Sequence, residues 1–122
     1  MSAVICDIDG TILFGKKPIQ KTIDYLKELD QRYQIFIVTA RPSSRREETI
    51  ASLKEFGVPF HRLIMNNTGS SHRDGLESKR TAAESILFVQ RVVLAIDNDL
   101  GARRVYASLK IKTLDPRKIL PR

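Results

Sequence analysis

Cysteine is nearly absent, at one residue in 122. A single thiol excludes an internal disulfide and any zinc cage built from cysteine alone. No apolar run approaches the roughly 20 residues that a membrane-crossing helix needs. The first apolar run, Ala3-Val4-Ile5-Cys6, meets Asp7 at once and has no basic stretch before it, so no secretory leader is expected. Low-complexity tracts, internal repeats and linkers are also lacking. So is a glycine-rich loop ending in Lys-Ser or Lys-Thr, which excludes a phosphate-cradling kinase half. What is present is a hydrophobic share of 42%, the composition of a globular chain rather than a disordered one. The length fits one domain over residues 1–122 with one real core. A soluble, cytoplasmic protein with no membrane partner is expected.

Negative charge is the scarcer sign: Asp and Glu number 14 against 21 Lys and Arg, a formal net charge of +7. A field of that sign favours anionic partners such as nucleic acid or phosphorylated metabolites. Many solvated surfaces are basic for no further reason, so charge alone names no substrate.

Short apolar runs alternate with helical patterns. Ala3–Cys6, Ile35–Val38, Arg62–Met65 and Val92–Ile96 read as buried strands. Ile19, Ile23, Leu26 and Tyr33 predict an amphipathic helix over about 19–32. Ser44 and Glu47 have capping-box spacing and open a helix carrying Ile50, Leu53 and Phe56, with Gly57 as its stop. Thr11 to Ile19 and Asn66 to Gly75 read as loops. A helix is predicted over about 77–88 with Ala83, Ile86 and Leu87 on its core face, then a short helix through Val105 and Tyr106, with Ile111 completing the set. Strands apolar on both faces and alternating with helices predict an α/β, Rossmann-like three-layer sandwich around a mostly parallel five-stranded sheet. Ligands of such sheets bind beyond the carboxyl ends of the strands. Those ends carry Asp7 and Asp9, Thr39 and Arg41, the Asn66 loop, and Asp97.

Asp7-Ile8-Asp9-Gly10-Thr11 follows the first run directly. Gly10 permits a tight bend that would turn both carboxylates toward a common point. Two acids held so close call for a cation, and a hard divalent ion with oxygen ligands, magnesium above all, suits a site that also holds phosphate. Acids in such a turn also cap backbone groups with no further role. The full segment resembles the first motif of the haloacid dehalogenase-like phosphatase superfamily. The resemblance implies that Asp7 is a nucleophile toward phosphorus and that Asp9 is the general acid and base. It also implies a Mg2+ cofactor held by Asp7, Asp9, Asp97 and Asn98.

Further residues fit the same resemblance. Thr39 stands where the second motif places a hydroxyl for the phosphoryl group, and Arg41 two residues on offers a fork for phosphate. Lys79 would neutralise the charged intermediate, with Arg80 as the competing cation. Asp97 is the expected direct metal ligand. Asn98 replaces a second adjacent acid and would hold a metal-bound water. Asp99 is either an outer-shell group or the N-cap of the next helix. With a phosphate dianion, magnesium and a protonated Asp9, Lys79 and Arg41 bring the site close to neutrality, as a partly desolvated site requires.

No segment is long enough for the cap domain many members carry, so an uncapped HAD-like core is expected. An open rim admits a bulky substrate or a polymer end; the alternative is an oligomer whose neighbouring subunit supplies the lid. Thr39 with Arg41, Arg73 six residues before Lys79, and Leu94-Ala95-Ile96-Asp97 resemble the phosphatase domain of phage-type polynucleotide kinase–phosphatases. That implies a phosphate-ester substrate, a 3′-phosphate on nucleic acid or a nucleotide, with Arg41, Arg73 and His72 along the binding edge. Arg45 and Arg46 either track a backbone or form a solvated helix face. Phe60 reads as core, and His61 and His72 as loop histidines rather than metal ligands. A receiver-type signalling domain would need an acid after the third strand, where Met65-Asn66-Asn67 offers none. A small-molecule phosphatase and a non-catalytic binding module on the same scaffold remain the alternatives.

Overall fold

The computed structural model describes residues 1–121. In chain order its elements are β1 (Ala3–Cys6), β2 (Leu13–Phe14), β3 (Lys17–Pro18), α1 (Gln20–Leu29), β4 (Gln34–Pro42), α2 (Arg46–Glu55), β5 (Arg62–Asn66), α3 (His72–Val89), β6 (Val92–Ile96), α4 (Leu100–Ser108) and β7 (Thr113–Leu114). Five strands form one sheet in the order β5-β4-β1-β6-β7, and every pairing in it is parallel.

Alternation along the strands divides the core in two, because successive side chains leave opposite faces of a sheet. Val4, Cys6, Ile35, Ile37, Leu94 and Ile96 pack with Ile23 and Leu26 of α1 and Leu53 of α2. Ala3, Ile5, Phe36, Val38 and Ala95 pack with Ala82, Ala83 and Ile86 of α3 and with Ala102 and Tyr106 of α4. The result is the expected three-layer α/β sandwich, with each fully buried aliphatic side chain contributing about 1.5–3 kcal/mol. The chain leaves β1 for β4 on one side and later returns to β6 on the other. That switch in direction opens a crevice at the carboxyl end of β1.

Four local expectations are corrected. The segment 11–19 is not plain loop: β2 and β3 pair antiparallel as a small hairpin, too short to show a period-2 pattern. Ser44 and Glu47 do not cap α2. Pro42 is extended and a 3-10 turn covers Ser43–Arg45, so α2 starts at Arg46 without a side-chain cap. The capping box belongs instead to Ser71 and Asp74 at the start of α3, which therefore begins well before residue 77. Gly75 lies inside that helix against Ala40, where a Cβ would stand 3.0 Å from the Ala40 Cβ. Leu87 is half-exposed rather than core, whereas Ala83 and Ile86 are buried.

Candidate active site

Three strand ends bring their side chains together at the β1 crevice. Asp7 follows β1, Thr39 lies near the end of β4, and Asp97 follows β6. Lys79 reaches in from α3. All four are buried. The Lys79 ammonium donates to Asp97 Oδ2 at 2.6 Å and to Asp7 Oδ1 at 3.2 Å. Arg80, the competing cation, takes no part in this cluster. Asp97 Oδ1 accepts the Asp99 amide N–H at 2.9 Å, so both of its oxygens are engaged.

Burial sets the protonation of this cluster. The Asp7 carboxyl is pushed up to about 7, first by burial and then by the negative charge of Asp97, against the pull of Lys79 and Thr11. Burial also raises Asp97, with Lys79 opposing it. Burial pulls the Lys79 ammonium down, but the two carboxylates outweigh it and hold the amine above its usual range.

Thr11, unassigned in the sequence, ties the turn together. It is fully buried. Its hydroxyl donates to Asp7 Oδ2 at 3.0 Å and accepts the Asn98 amide N–H at 3.1 Å. Gly10 has φ +80°, and a Cβ there would collide with the Asn98 side chain. Glycine is thus needed twice, for backbone geometry and for the close approach of Asn98.

Asn98 supplies the test for a metal. Its terminal amide atom lies 2.9 Å from Asp7 Oδ2 and 2.9 Å from the main-chain carbonyl of Asp9. With nitrogen inward, the amide donates to both oxygens. With oxygen inward, three oxygens face one another and the single Thr11 hydroxyl, 3.0 Å from Asp7 Oδ2 and 3.3 Å from Asn98 Oδ1, is the one hydrogen donor among them, so a cation would satisfy the rest. Ligand oxygens around an octahedral magnesium stand about 3 Å apart, given bonds of 2.0–2.1 Å. The donor set therefore fits a hard divalent ion. It comprises one carboxylate, one carbonyl and one amide. Among the described residues no three acidic, histidine or cysteine side chains gather at one point. Two expectations change accordingly: Asp97 faces Lys79 rather than the oxygen cluster, and Asn98 itself faces Asp7.

The Asp9 carboxylate does not share a point with that of Asp7. It is half-exposed and lies on a bidentate fork from Arg41, with Nη2 at 2.7 Å from Oδ1 and Nε at 2.9 Å from Oδ2. Arg41 is buried, its Nη1 donates to the buried Thr49 hydroxyl at 3.2 Å, and its main-chain N–H donates to Thr39 Oγ1 at 3.1 Å. The expected phosphate fork is thus occupied by Asp9.

A cavity of about 240 Å³ opens over the cluster, lined by Asp7, Asp9, Thr39, Lys79, Asn98 and Asp99 among others. His72 stands on its rim and bonds Asp99 at 3.1 Å. Asp99 is the N-cap of α4, accepting the Ala102 N–H at 2.8 Å. Arg73 is exposed, does not line the cavity, and makes no hydrogen bond or ion pair among the described residues. Arg45 is paired with Glu48 and Arg46 donates to the Leu63 carbonyl. Phe60 packs against the core as expected.

A parallel sheet with Asp7, Lys79 and Asp97 gathered at its switch point defines the class of this molecule as an α/β protein whose site lies beyond the carboxyl ends of its strands. The model of the haloacid dehalogenase-like hydrolase family matches residues 4–104. The chain belongs to that family. No curated protein sequence matches it. Among solved structures, it is similar to one of the Pnkp1/Rnl/Hen1 RNA repair complex, with TM-score 0.78 and 23% identity over 93% of this chain and 42% of that chain. A second structure of the Pnkp1/Rnl/Hen1 complex gives TM-score 0.81 and 22% identity over 93% and 45%. The haloacid dehalogenase-like family protein SP0104 from Streptococcus pneumoniae gives TM-score 0.67 and 12% identity over 94% and 84%. The chain spans less than half the length of the first two, and all three likenesses show a shared fold. No helix among the described residues is long and apolar enough to cross a membrane.

Proposed function

We propose that this hydrolase is a magnesium-dependent phosphomonoesterase that works through an aspartyl-phosphate, with a sugar 3′-phosphate of a nucleotide or nucleic acid as substrate. The carrying observation is the placement of Asp7 in the wall of the cavity: one oxygen accepts the Thr11 hydroxyl beside the Asn98 amide, and the other accepts from Lys79, which lines the same cavity. In the first step Asp7 Oδ1 bonds to phosphorus and the bond from phosphorus to the leaving oxygen breaks. The electron pair departs with that oxygen, which takes a proton from Asp9. In the second step water attacks the aspartyl-phosphate, gives its proton to Asp9, and releases inorganic phosphate and the Asp7 carboxylate. Thr39 donates a hydrogen bond to the phosphoryl group, and Lys79 balances the charge on Asp7 and Asp97. Asp7 Oδ2, the Asp9 carbonyl and the Asn98 amide oxygen would hold a magnesium ion, which would supply positive charge beside the phosphoryl group.

The surroundings support a sugar as leaving group. A groove of about 450 Å³ adjoins the active cavity, sharing Ala40 and Ser70 with it. Its walls carry Ser43, Ser44, Asn67 and Thr68 and no charged side chain. Asn66 holds the far wall in place, donating to the carbonyls of Ala40 and Gly69 and accepting from Thr68. Neutral donors and acceptors suit hydroxyls better than flanking phosphates. Similarity to the chains of the RNA repair complexes is consistent with a polynucleotide end. The connections flanking the rim are short: the β2–β3 hairpin between β1 and α1, and α2 with β5 between β4 and α3.

Phosphate release from 3′- and 5′-phosphorylated oligonucleotides, mononucleotides and sugar phosphates tests this reading. The 3′-phosphates are expected to turn over with magnesium and not in EDTA. Asp7→Asn is expected to lower the rate by on the order of 10⁴-fold or more with the fold intact by circular dichroism. Parent activity in the Asp7→Asn variant would remove Asp7 as nucleophile. No turnover of any ester would favour a binding module, and activity confined to sugar phosphates a small-molecule phosphatase.

A further inference from the structure

We infer that Arg41 is a positioning residue for the Asp9 carboxyl group and not a ligand of the phosphoryl group. The inference rests on the phosphatase reading above. Both contacts of its fork go to Asp9, at 2.7 and 2.9 Å, and its third arm is anchored on Thr49. The guanidinium is buried, and it lines a separate cavity beneath the hairpin with Leu13, Lys16 and Glu48, not the one over Asp7 and Lys79. To reach phosphate it would have to abandon every one of these bonds. A bidentate fork fixes both the place and the plane of a carboxyl group. Asp9 is otherwise half-exposed, so Arg41 is what keeps its oxygens at the cavity wall.

Leaving-group chemistry separates the two roles. An alkyl ester needs a proton on its leaving oxygen as the phosphorus–oxygen bond breaks, whereas p-nitrophenyl phosphate expels a stable phenolate without one. A residue that positions the acid therefore matters to the first ester and little to the bond-breaking step of the second. A residue that grips phosphate matters equally to both. Arg41→Gln is expected to lower kcat/KM for adenosine 3′-phosphate by about 100-fold. For p-nitrophenyl phosphate kcat/KM falls far less, and a burst of about one equivalent of phenolate precedes slow turnover, because the second step still lacks a placed base. Inhibition by inorganic phosphate stays close to that of the parent. Arg41→Lys, which keeps the charge without the fork, restores only part of the loss. Should Arg41→Gln fail to fold, Thr49→Val keeps Arg41 and removes its anchor, and the same selective pattern is expected at smaller amplitude.

Equal losses on the two esters, together with weaker inhibition by phosphate, would overturn the assignment and make Arg41 a phosphoryl ligand. A parent inactive on both esters would instead sink the phosphatase reading itself, and the role of Arg41 with it.

Discussion

Asp7 and Asp9 come from the same turn, yet they sit in different media. Asp7 is buried and shares one ammonium with Asp97, which is also buried. The Asp9 side chain is 56% exposed and has a guanidinium to itself. Two carboxylates around one cation leave an excess negative charge in a poorly solvated pocket: burial lifts both Asp7 and Asp97, and for Asp7 the charge of Asp97 adds to the rise. The paired acid in solvent carries no such excess. The difference follows from direction along the turn. Asp7 directly follows β1, between β4 and β6, whereas Asp9 lies in the turn that precedes the β2–β3 hairpin, beside the left-handed Gly10. One short motif thus yields a buried carboxyl held at cost and a second, better solvated one, the two that the proposed mechanism uses for phosphorus and for protons.

Removing the shared cation is the severest way to break this contrast. Lys79→Met leaves Asp7 and Asp97 facing each other without compensation, and a buried pair broken on one side loses about 3–5 kcal/mol. Urea unfolding above pH 7 reads this directly. A loss under about 1 kcal/mol would mean that water, not Lys79, holds the cluster.

A smaller effect comes from titrating Asp7 in EDTA. Its ordinary value is 3.8, and the fold raises it to about 7. Between those limits the folded chain keeps a proton that the unfolded chain has released, so stability falls as pH rises through the window. The loss is absent below the lower value and complete above the upper one. Asp7→Asn cannot lose this proton, so its urea midpoint is expected to decline less steeply over that range. Parallel slopes for the two proteins would mean that Asp7 ionises in the fold as freely as in the unfolded chain.

How much of this was legible in the sequence depends on the distance over which each feature is decided. The sheet, its layers and the gathering of Asp7, Thr39 and Asp97 follow from runs of apolar residues and the residues that end them, whereas Lys79, inside α3, was legible only through the family resemblance. The pairing of Arg41 with Asp9 does not, because a row of letters shows two charges and not which meets which across 32 positions. That Lys79 takes Asp97 while the Asn98 amide lies beside Asp7 was hidden for the same reason: adjacent residues leave a strand end in different directions. The early start of α3 was within reach, since Ser71 and Asp74 have capping spacing. The polar loop before them masked it. Thr11 stood inside the quoted motif, but its double duty toward Asp7 and Asn98 needs the fold to bring residue 98 beside residue 11.

The gentlest probe of the comparison is Asp9→Asn. The carboxylate it removes is mostly solvated, so little desolvation cost was sunk in the pair, and ion pairs of this kind contribute about 1 kcal/mol or less. Arg41 keeps its bond to Thr49 and gains water on the side that Asp9 leaves. The asparagine oxygen still accepts one N–H from the fork. Urea unfolding is therefore expected to shift by no more than that amount, while turnover of alkyl phosphates collapses because the amide has no proton of suitable acidity to give. A stability loss approaching that of Lys79→Met would show that the fork is as structural as the buried cluster, and that the two acids of the turn differ less than their exposure implies.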